Sequence, residues 1–357
     1  MSPPRFTAKV IFNGQTELDG NYVQEITATQ AFDSSDGISV GSACSGRCKI
    51  RIYKPDEPLR LSGGYFVPYI GIYTGGRDTS AVAGVAVAGK AVVGTSGNPA
   101  DGAEYVPLGR YYIPADGIED MKHSWEITGY DQMASLTDQY TPQIDFPATP
   151  EFMLADVCAQ SGLTPPTVTF PDMTIESVFE GTIRQQLGWL AGLCGQSAHF
   201  DRDGNLVFKW YSKTTFQVSR DQQYMSGLTR TADGLYTVSS LTTGTEDEPI
   251  TSGTGLGITS TNPYMNQSVA DLIQPEVEIS FQPCDVKWRC DPSVEVGDVI
   301  QVEGDTGEWL DVCVMEQEIH LYGGLSSTMH SYAPQDADYA MESPTEQRIK
   351  RAYEGLT

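Results

Sequence analysis

The sequence predicts a mainly β protein in which two strand-rich units flank a small α+β insert, with a short helix near the C-terminus. Three observations predict it. Gly (36) and Pro (21) together exceed 15% of the 357 residues, which favours many turns and short strands over long helices. Alternation of apolar and polar residues with period two runs through the first 140 residues and returns after about Thr214. Between these stretches lie two segments with helix caps and apolar stripes of helical period.

The elements follow in order. Phe6, Ala8, Val10 and Phe12 alternate with Thr7, Lys9 and Ile11, and Asn13-Gly14 closes the run with a hairpin turn signal. Cys48, Ile50 and Ile52 alternate with Lys49 and Arg51, giving one buried and one wet face. Strand-like runs continue at Tyr65–Tyr73, Tyr105–Ile113 and Ser124–Tyr130, so residues 1–140 read as a β-barrel or sandwich. A small-residue insertion at 75–101, containing the Ala81–Gly94 run, interrupts it as a loop.

Residues 141–212 read as the α+β unit. Thr149-Pro150-Glu151 places a hydroxyl at the cap and Pro at the first helical position, and Gly162 ends that helix. A second helix begins at Thr182, whose spacing to Gln185 fits a capping box; Ile183, Leu187, Leu190, Ala191 and Cys194 form its apolar stripe. A hairpin follows, from Ala198-His199-Phe200 through the Asp201–Asn205 turn to Leu206–Tyr211. Residues 213–335 read as the second strand-rich unit, with runs at Glu276–Phe281, Val286–Cys290, Val299–Val302, Leu310–Met315 and Glu318–Leu321. In the C-terminal segment 336–357, Ser343-Pro344-Thr345-Glu346 announces a helix that carries Arg348, Ile349, Lys350, Arg351 and Tyr353.

Charge narrows the function. Lys and Arg number 22 against 47 Asp and Glu, a net charge of -25. From Thr231 to Gln347 the only basic residues are Lys287 and Arg289, against 21 acids. Proteins that grip nucleic acid need clustered cations to displace counterions, so this balance argues against a nucleic-acid binder and leaves solubility or a message about partners. Met1–Arg5 lacks the apolar core of a signal peptide, and no apolar run approaches a membrane span. Seven cysteines, an odd number, point to reduced thiols.

No catalytic constellation stands out. His123, His199, His320 and His330 belong to no metal-binding spacing, and the Cys44/Cys48 and Cys284/Cys290 intervals lack the tight knuckles of a zinc ribbon. Asp201-Arg202-Asp203-Gly204-Asn205 has its Gly too early for a calcium loop and reads as a hairpin turn. A nucleophile elbow and a phosphate loop are both absent. The expectation is of a protein with no enzymatic activity, no cofactor and no metal, while pairs among the 47 acids leave glycoside hydrolysis open.

The assembled segments resemble the hub proteins of phage tails and related injection machines. That family includes the N-terminal structural part of siphophage tail-associated proteins, with equivalents in contractile tails and type VI secretion spikes. Ile38–Ser42 leading to Lys49–Tyr53, then Tyr105–Ile113 and Trp125–Asp131, look like the first barrel. Thr149–Asp156, the Thr182–Cys194 helix and Gly204–Phe208 look like the inserted α+β domain, and Glu295–Ile300 with Leu321–Ser327 like the second barrel.

The resemblance implies two tube-type β-barrels per chain, in a virion tail tip or baseplate assembled in a bacterial host's cytoplasm. It implies a homotrimeric ring with pseudo-six-fold symmetry, closed by heterologous contacts. Its partners would be a hexameric distal-tail or tube ring, the tape-measure protein and a trimeric spike or fibre, with DNA only in passage. Relatives often carry a C-terminal peptidase, lysin or fibre, and a chain ending at Thr357 leaves no room for one. Under this resemblance Glu295, Asp298, Glu303, Asp305 and Glu308 are candidates for an acidic lumen. Arg348, Ile349, Arg351 and Tyr353 are candidates for a partner-docking helix. Two other classes fit a strand-rich chain: a peptidoglycan or polysaccharide hydrolase of the tail tip, and a carbohydrate-binding adhesin using exposed aromatics.

Overall fold

In a computed structural model, the structure describes residues 6–33, 38–56, 59, 61, 63–73, 103–232, 234–245 and 247–333. The protein is mainly β with small helical parts. The insertion at 75–101 and the C-terminal helix read from the sequence lie outside the described residues.

One 13-stranded sheet organises the molecule. From one edge to the other run Gln223–Arg230, Cys284–Trp288, Leu325–Ser331, Glu316–Leu321, Val23–Ala31, Arg47–Tyr53, Ser124–Tyr130, Tyr111–Tyr112, Tyr65–Tyr73, Phe6–Phe12 and Thr16–Leu18. Ala103–Pro107 adds to Tyr65–Tyr73, and Ile118–Asp120 to Ser124–Tyr130. The join in its middle is decisive. Val23–Ala31 pairs antiparallel with Glu316–Leu321, Ala31 opposite Glu316 and Ile26 opposite Leu321, so strands from the two ends of the chain share one sheet.

The local signals hold where they are strongest. Asn13 and Gly14 both take positive φ, 52° and 67°, in the turn after Phe12, where the mirror-image turn matches the strand twist. Cys48, Ile50 and Ile52 are fully buried, while Lys49 and Arg51 face outward. Helix Ile183–Gly192 is capped as the spacing requires: Gln185 N donates to Thr182 Oγ1 at 3.2 Å, and Thr182 N donates to Gln185 Oε1 at 2.8 Å. This helix stops before Cys194, which lies past its end.

Other readings shift. Tyr105–Ile113 is two strands, because Gly109 takes φ 129° and breaks the run. Of Glu276–Phe281 only Ile279–Phe281 is extended, since Gln274–Glu276 with Pro275 forms a 3-10 turn. The Val286–Cys290 run is instead Cys284–Trp288. In helix Pro150–Gln160 the Thr149 hydroxyl makes no capping bond, although Pro150 sits at the first helical position as read. Helix Gln267–Ile273, capped by Asn266 Oδ1 accepting from Val269 N at 3.0 Å, was not read from the sequence.

Two cores result. One lies inside the first strand-rich unit around Val10, Ile50, Ile70 and Ile127, and it includes Ile319 and Leu325 from the far end of the chain. The other gathers the α+β insert and the rest of the second unit around Leu187, Trp288 and Val302. Phe32-Asp33 is their keystone. Phe32 N donates to Met315 O at 2.7 Å, and its ring packs 4.6 Å from Tyr211 and 5.4 Å from His199. Asp33, 1% exposed, accepts from Tyr211 Oη and Ser39 Oγ, each at 2.7 Å.

A candidate interaction face on the main sheet

Six neighbouring strands of the main sheet, from Cys284–Trp288 to Ser124–Tyr130, present one side to the cores and the other outward. On the core side, Val286, Met329, Ile319, Ile26, Ile50 and Ile127 are all buried. On the outer side the residues lie in register. One row reads Lys287, Thr328, Glu318, Thr29, Arg47, Tyr130; the next reads Ser326, His320, Thr27, Lys49, Thr128. At strand spacings of about 4.8 Å, the first row spans about 24 Å.

This face differs electrically from the chain that carries it. Glu25, Glu126, Asp285, Glu316 and Glu318 stand against Arg47, Lys49, Arg51 and Lys287, leaving a single net negative charge where the whole chain has -25. Its charges are largely paired across strands. Glu126 accepts from Lys49 Nζ at 2.6 Å and from Arg51 Nη2 at 2.8 Å, and Arg51 Nη1 lies 3.3 Å from Glu25. The hydrogen bond from Lys49, then that from Arg51, hold the half-buried Glu126 carboxyl below its ordinary value against the opposing pull of burial. His320 Nε2 lies 3.2 Å from Glu25, and His330 Nδ1 2.7 Å from Asp285. Side chains at such spacings on a sheet interact directly, so the pattern follows from the register.

The acids singled out in the sequence sit elsewhere. Strand Asp298–Glu303 belongs to a separate three-stranded sheet, parallel to Ser212–Val218 and antiparallel to Trp309–Cys313. Glu295 and Asp298 come together at the turn before it. Glu295 N donates to Asp298 Oδ2 at 3.0 Å, and Glu295 Oε1 pairs with Arg202 at 2.9 Å. Glu303, Asp305 and Glu308 gather at the other end of that strand, about 17 Å away at the rise of an extended chain. There Glu303 Oε2 accepts from Arg220 N at 2.8 Å, Asp305 from Arg220 Nη1 at 2.6 Å, and Glu308 pairs with Arg230. The Thr306 hydroxyl is the main reason the Glu308 carboxyl falls to about 2. The structure thus makes two groups of the five, each engaged within the chain. Arg348, Ile349, Arg351 and Tyr353 lie outside the described residues.

The seven thiols are all held in their protonated form. Burial pushes all seven thiols up, to about 12 for Cys44, Cys158, Cys194 and Cys284. Burial likewise lowers His199 to about 3. The Asp201–Asn205 segment is a hairpin turn, with Asp201 Oδ1 accepting from Asp203 N and Asn205 N. Among the described residues, no His, Cys, Asp and Glu cluster could hold a metal, and no helix is long and apolar enough to cross a membrane. The outer face was within reach of a sequence reading. Glu25, Thr27 and Thr29 alternate with Ile26 and Ala28, as Lys49 and Arg51 do with their neighbours.

The two ends of the main sheet are free strands among the described residues, Gln223–Arg230 and Thr16–Leu18. The first carries Tyr224 and the 98%-exposed Met225. Exposed edges of this kind are templates for pairing with another chain.

No family model and no curated protein matches the chain. Solved structures do. The fold is similar to that of a 43 kDa tail protein of prophage MuSo2 from Shewanella oneidensis, at 13% identity, covering 95% of this chain and 100% of that one, with a TM-score of 0.50. A tail protein from Neisseria meningitidis MC58 matches at 13% identity over 91% and 95% of the two chains, TM-score 0.54. Prophage tail protein gp18 from Listeria monocytogenes EGD-e matches at 10% identity over 97% and 98%, TM-score 0.50.

Proposed function

We propose that this chain is a structural subunit of a phage-type tail or baseplate, a hub that closes as a ring around a channel. The observation that carries the reading is the correspondence of fold, over nearly the whole of both chains, with three prophage tail proteins. The chain works through assembly rather than chemistry, and we assign it no enzymatic activity. Its place is the virion tail tip or baseplate.

In the finer form of the proposal, three copies make the ring and each contributes two strand-rich units, giving six similar walls around a three-fold axis. Such a ring seats a hexameric tail ring on one side and a trimeric spike or fibre on the other, and passes tape measure and DNA. Heterologous pairing of the Gln223–Arg230 edge with a neighbour's Thr16–Leu18 edge would continue the sheet from copy to copy and cover both edges. The outward face of the six central strands then lines the channel. It is polar, so it keeps its hydration, and its near-zero net charge gives a passing polyanion little to hold.

Imaging tests this directly. Two-dimensional class averages of the purified protein, alone or with its adjoining ring protein, are expected to show a three-fold ring with a central hole. A permanent monomer by light scattering in the presence of that ring protein overturns the proposal.

A further inference from the structure

We infer that Glu25 and Glu126 are masking residues: they hold Lys49 and Arg51 on the outer sheet face away from a double-stranded polyanion passing over it. The inference rests on the channel reading for its setting, and it concerns how that face treats nucleic acid. The four side chains lie on three adjacent strands, Val23–Ala31, Arg47–Tyr53 and Ser124–Tyr130. Glu126, with its side chain 12% exposed, takes Lys49 on one oxygen at 2.6 Å and Arg51 on the other at 2.8 Å. Glu25 takes a second guanidinium nitrogen of Arg51 at 3.3 Å and His320 at 3.2 Å.

Stability gives only part of the reason for such a network, because exposed ion pairs contribute about 0–1 kcal/mol each and of these carboxylates only Glu126 is largely buried. Its effect on a polyanion is larger. A phosphate that reaches a free cation releases a counterion and gains affinity, with about 0.9 in salt slope per contact on duplex DNA. A phosphate approaching Arg51 or Lys49 must instead displace carboxylates already in place. Two cations on this face, Arg47 and Lys287, have no ion pair among the described residues. They stand four strands apart in one row with Glu318 between them, about 19 Å at normal strand spacing, too far to grip one phosphate together. Glu119, opposite Glu126 on the adjoining strand Ile118–Asp120, adds one more acid to the same side; charges farther off on the acidic chain act weakly, since at 0.1 M salt the screening length is about 10 Å.

The test measures binding of a short fluorescent DNA duplex by anisotropy, from low salt to above 0.1 M, for the wild type and for Glu25→Gln/Glu126→Gln. The wild type is expected to bind negligibly at 0.1 M. The double variant is expected to gain about ten-fold in affinity per unmasked cation there, with a salt slope steeper by about 1.8. Adding Lys49→Gln and Arg51→Gln should remove the gain. A folded double variant with wild-type affinity and slope overturns the inference, as does a gain that survives loss of both cations. Should the double variant not fold, Glu126→Gln alone frees Lys49, leaves Glu25 on Arg51, and is expected to show about half the slope change. Failure to see a three-fold ring would remove the hub reading while leaving a binding gain in force. Absence of the gain in a protein that forms the ring would remove only the masking.

Discussion

Gly297→Ala is the sharpest probe of how the units are locked together. Gly297 sits at φ 85° in the turn between Glu295 and Asp298, and its N–H donates to Val314 O at 2.8 Å. A Cβ there would stand 2.8 Å from Lys209 Cε and 2.9 Å from the Phe32 ring. Lys209 ends in a flexible chain and can step aside. Phe32 cannot, because its ring is wedged among Tyr211, His199 and Trp210. Placing Ala in the left-handed region costs about 1–2 kcal/mol, and forcing a packed core apart adds about 1–3 kcal/mol. The expected loss is therefore about 2–5 kcal/mol. Gly307 supplies the internal control: it has the same φ of 85°, with nothing within 4 Å of an added Cβ. Gly307→Ala should show the backbone cost alone. The assay is the urea midpoint of unfolding for both variants, read with the slope held against wild type. A Gly297→Ala protein no less stable than Gly307→Ala refutes the claim that Phe32 and Gly297 form a close-packed lock between the cores.

Three further outcomes are expected. Burial raises the Asp33 and Asp131 carboxyls to about 6, above their unfolded value near 4, so each stabilises the folded state when protonated and loses that contribution as pH rises through 6. Stability by urea unfolding should therefore climb from pH 7.5 to pH 5, by on the order of 1–1.5 kcal/mol for each group, and the climb should shrink in Asp33→Asn; an unchanged climb in that variant contradicts the assignment. Replacing Tyr224 and Met225 together by Asp on the free edge strand should leave the melting curve of the monomer within about 0.5 kcal/mol and abolish the trimer in light scattering; a trimer that persists rules this edge out of the interface. Among the acids, Glu295→Gln should destabilise the turn that holds Gly297 by leaving the largely buried Arg202 without its carboxylate, whereas Glu303→Gln/Asp305→Asn at the exposed hairpin end should be nearly neutral in stability; equal losses in the two variants would contradict the placement of these groups.

Much of this fold was legible because the signals that carry it are local. Lys49 and Arg51 between Cys48, Ile50 and Ile52 determine which face of that strand is wet, since side chains alternate with period two whatever the strand pairs with. Thr182 with Gln185 determines a helix start from four consecutive residues, and Asn13-Gly14 a turn from two. The helix at Gln267–Ile273 escaped because it is only seven residues long, with a single Asn266 cap and too little length for a visible stripe.

The acidity of the chain was plain from its sequence, as was the concentration of acids after Thr231; their destinations were not. Whether Asp298–Glu303 would join the main sheet or leave it for Ser212–Val218 depends on which strand edge is free and which register buries Val299, Ile300 and Val302. The same holds for Val23–Ala31 and Glu316–Leu321, whose pairing sets the charge-balanced face by bringing Glu25 near His320 while Arg51 arrives from the other side. Closing so long a loop adds only slowly to its entropic cost, so sequence distance neither forbids nor selects the partner. The amino-acid sequence by itself determined the strands, their wet sides and the net charge, because those are properties of short stretches and of composition. Only the tertiary structure decided which wet sides meet and which charges cancel, because register and edge matching are properties of pairs of segments that no single segment contains.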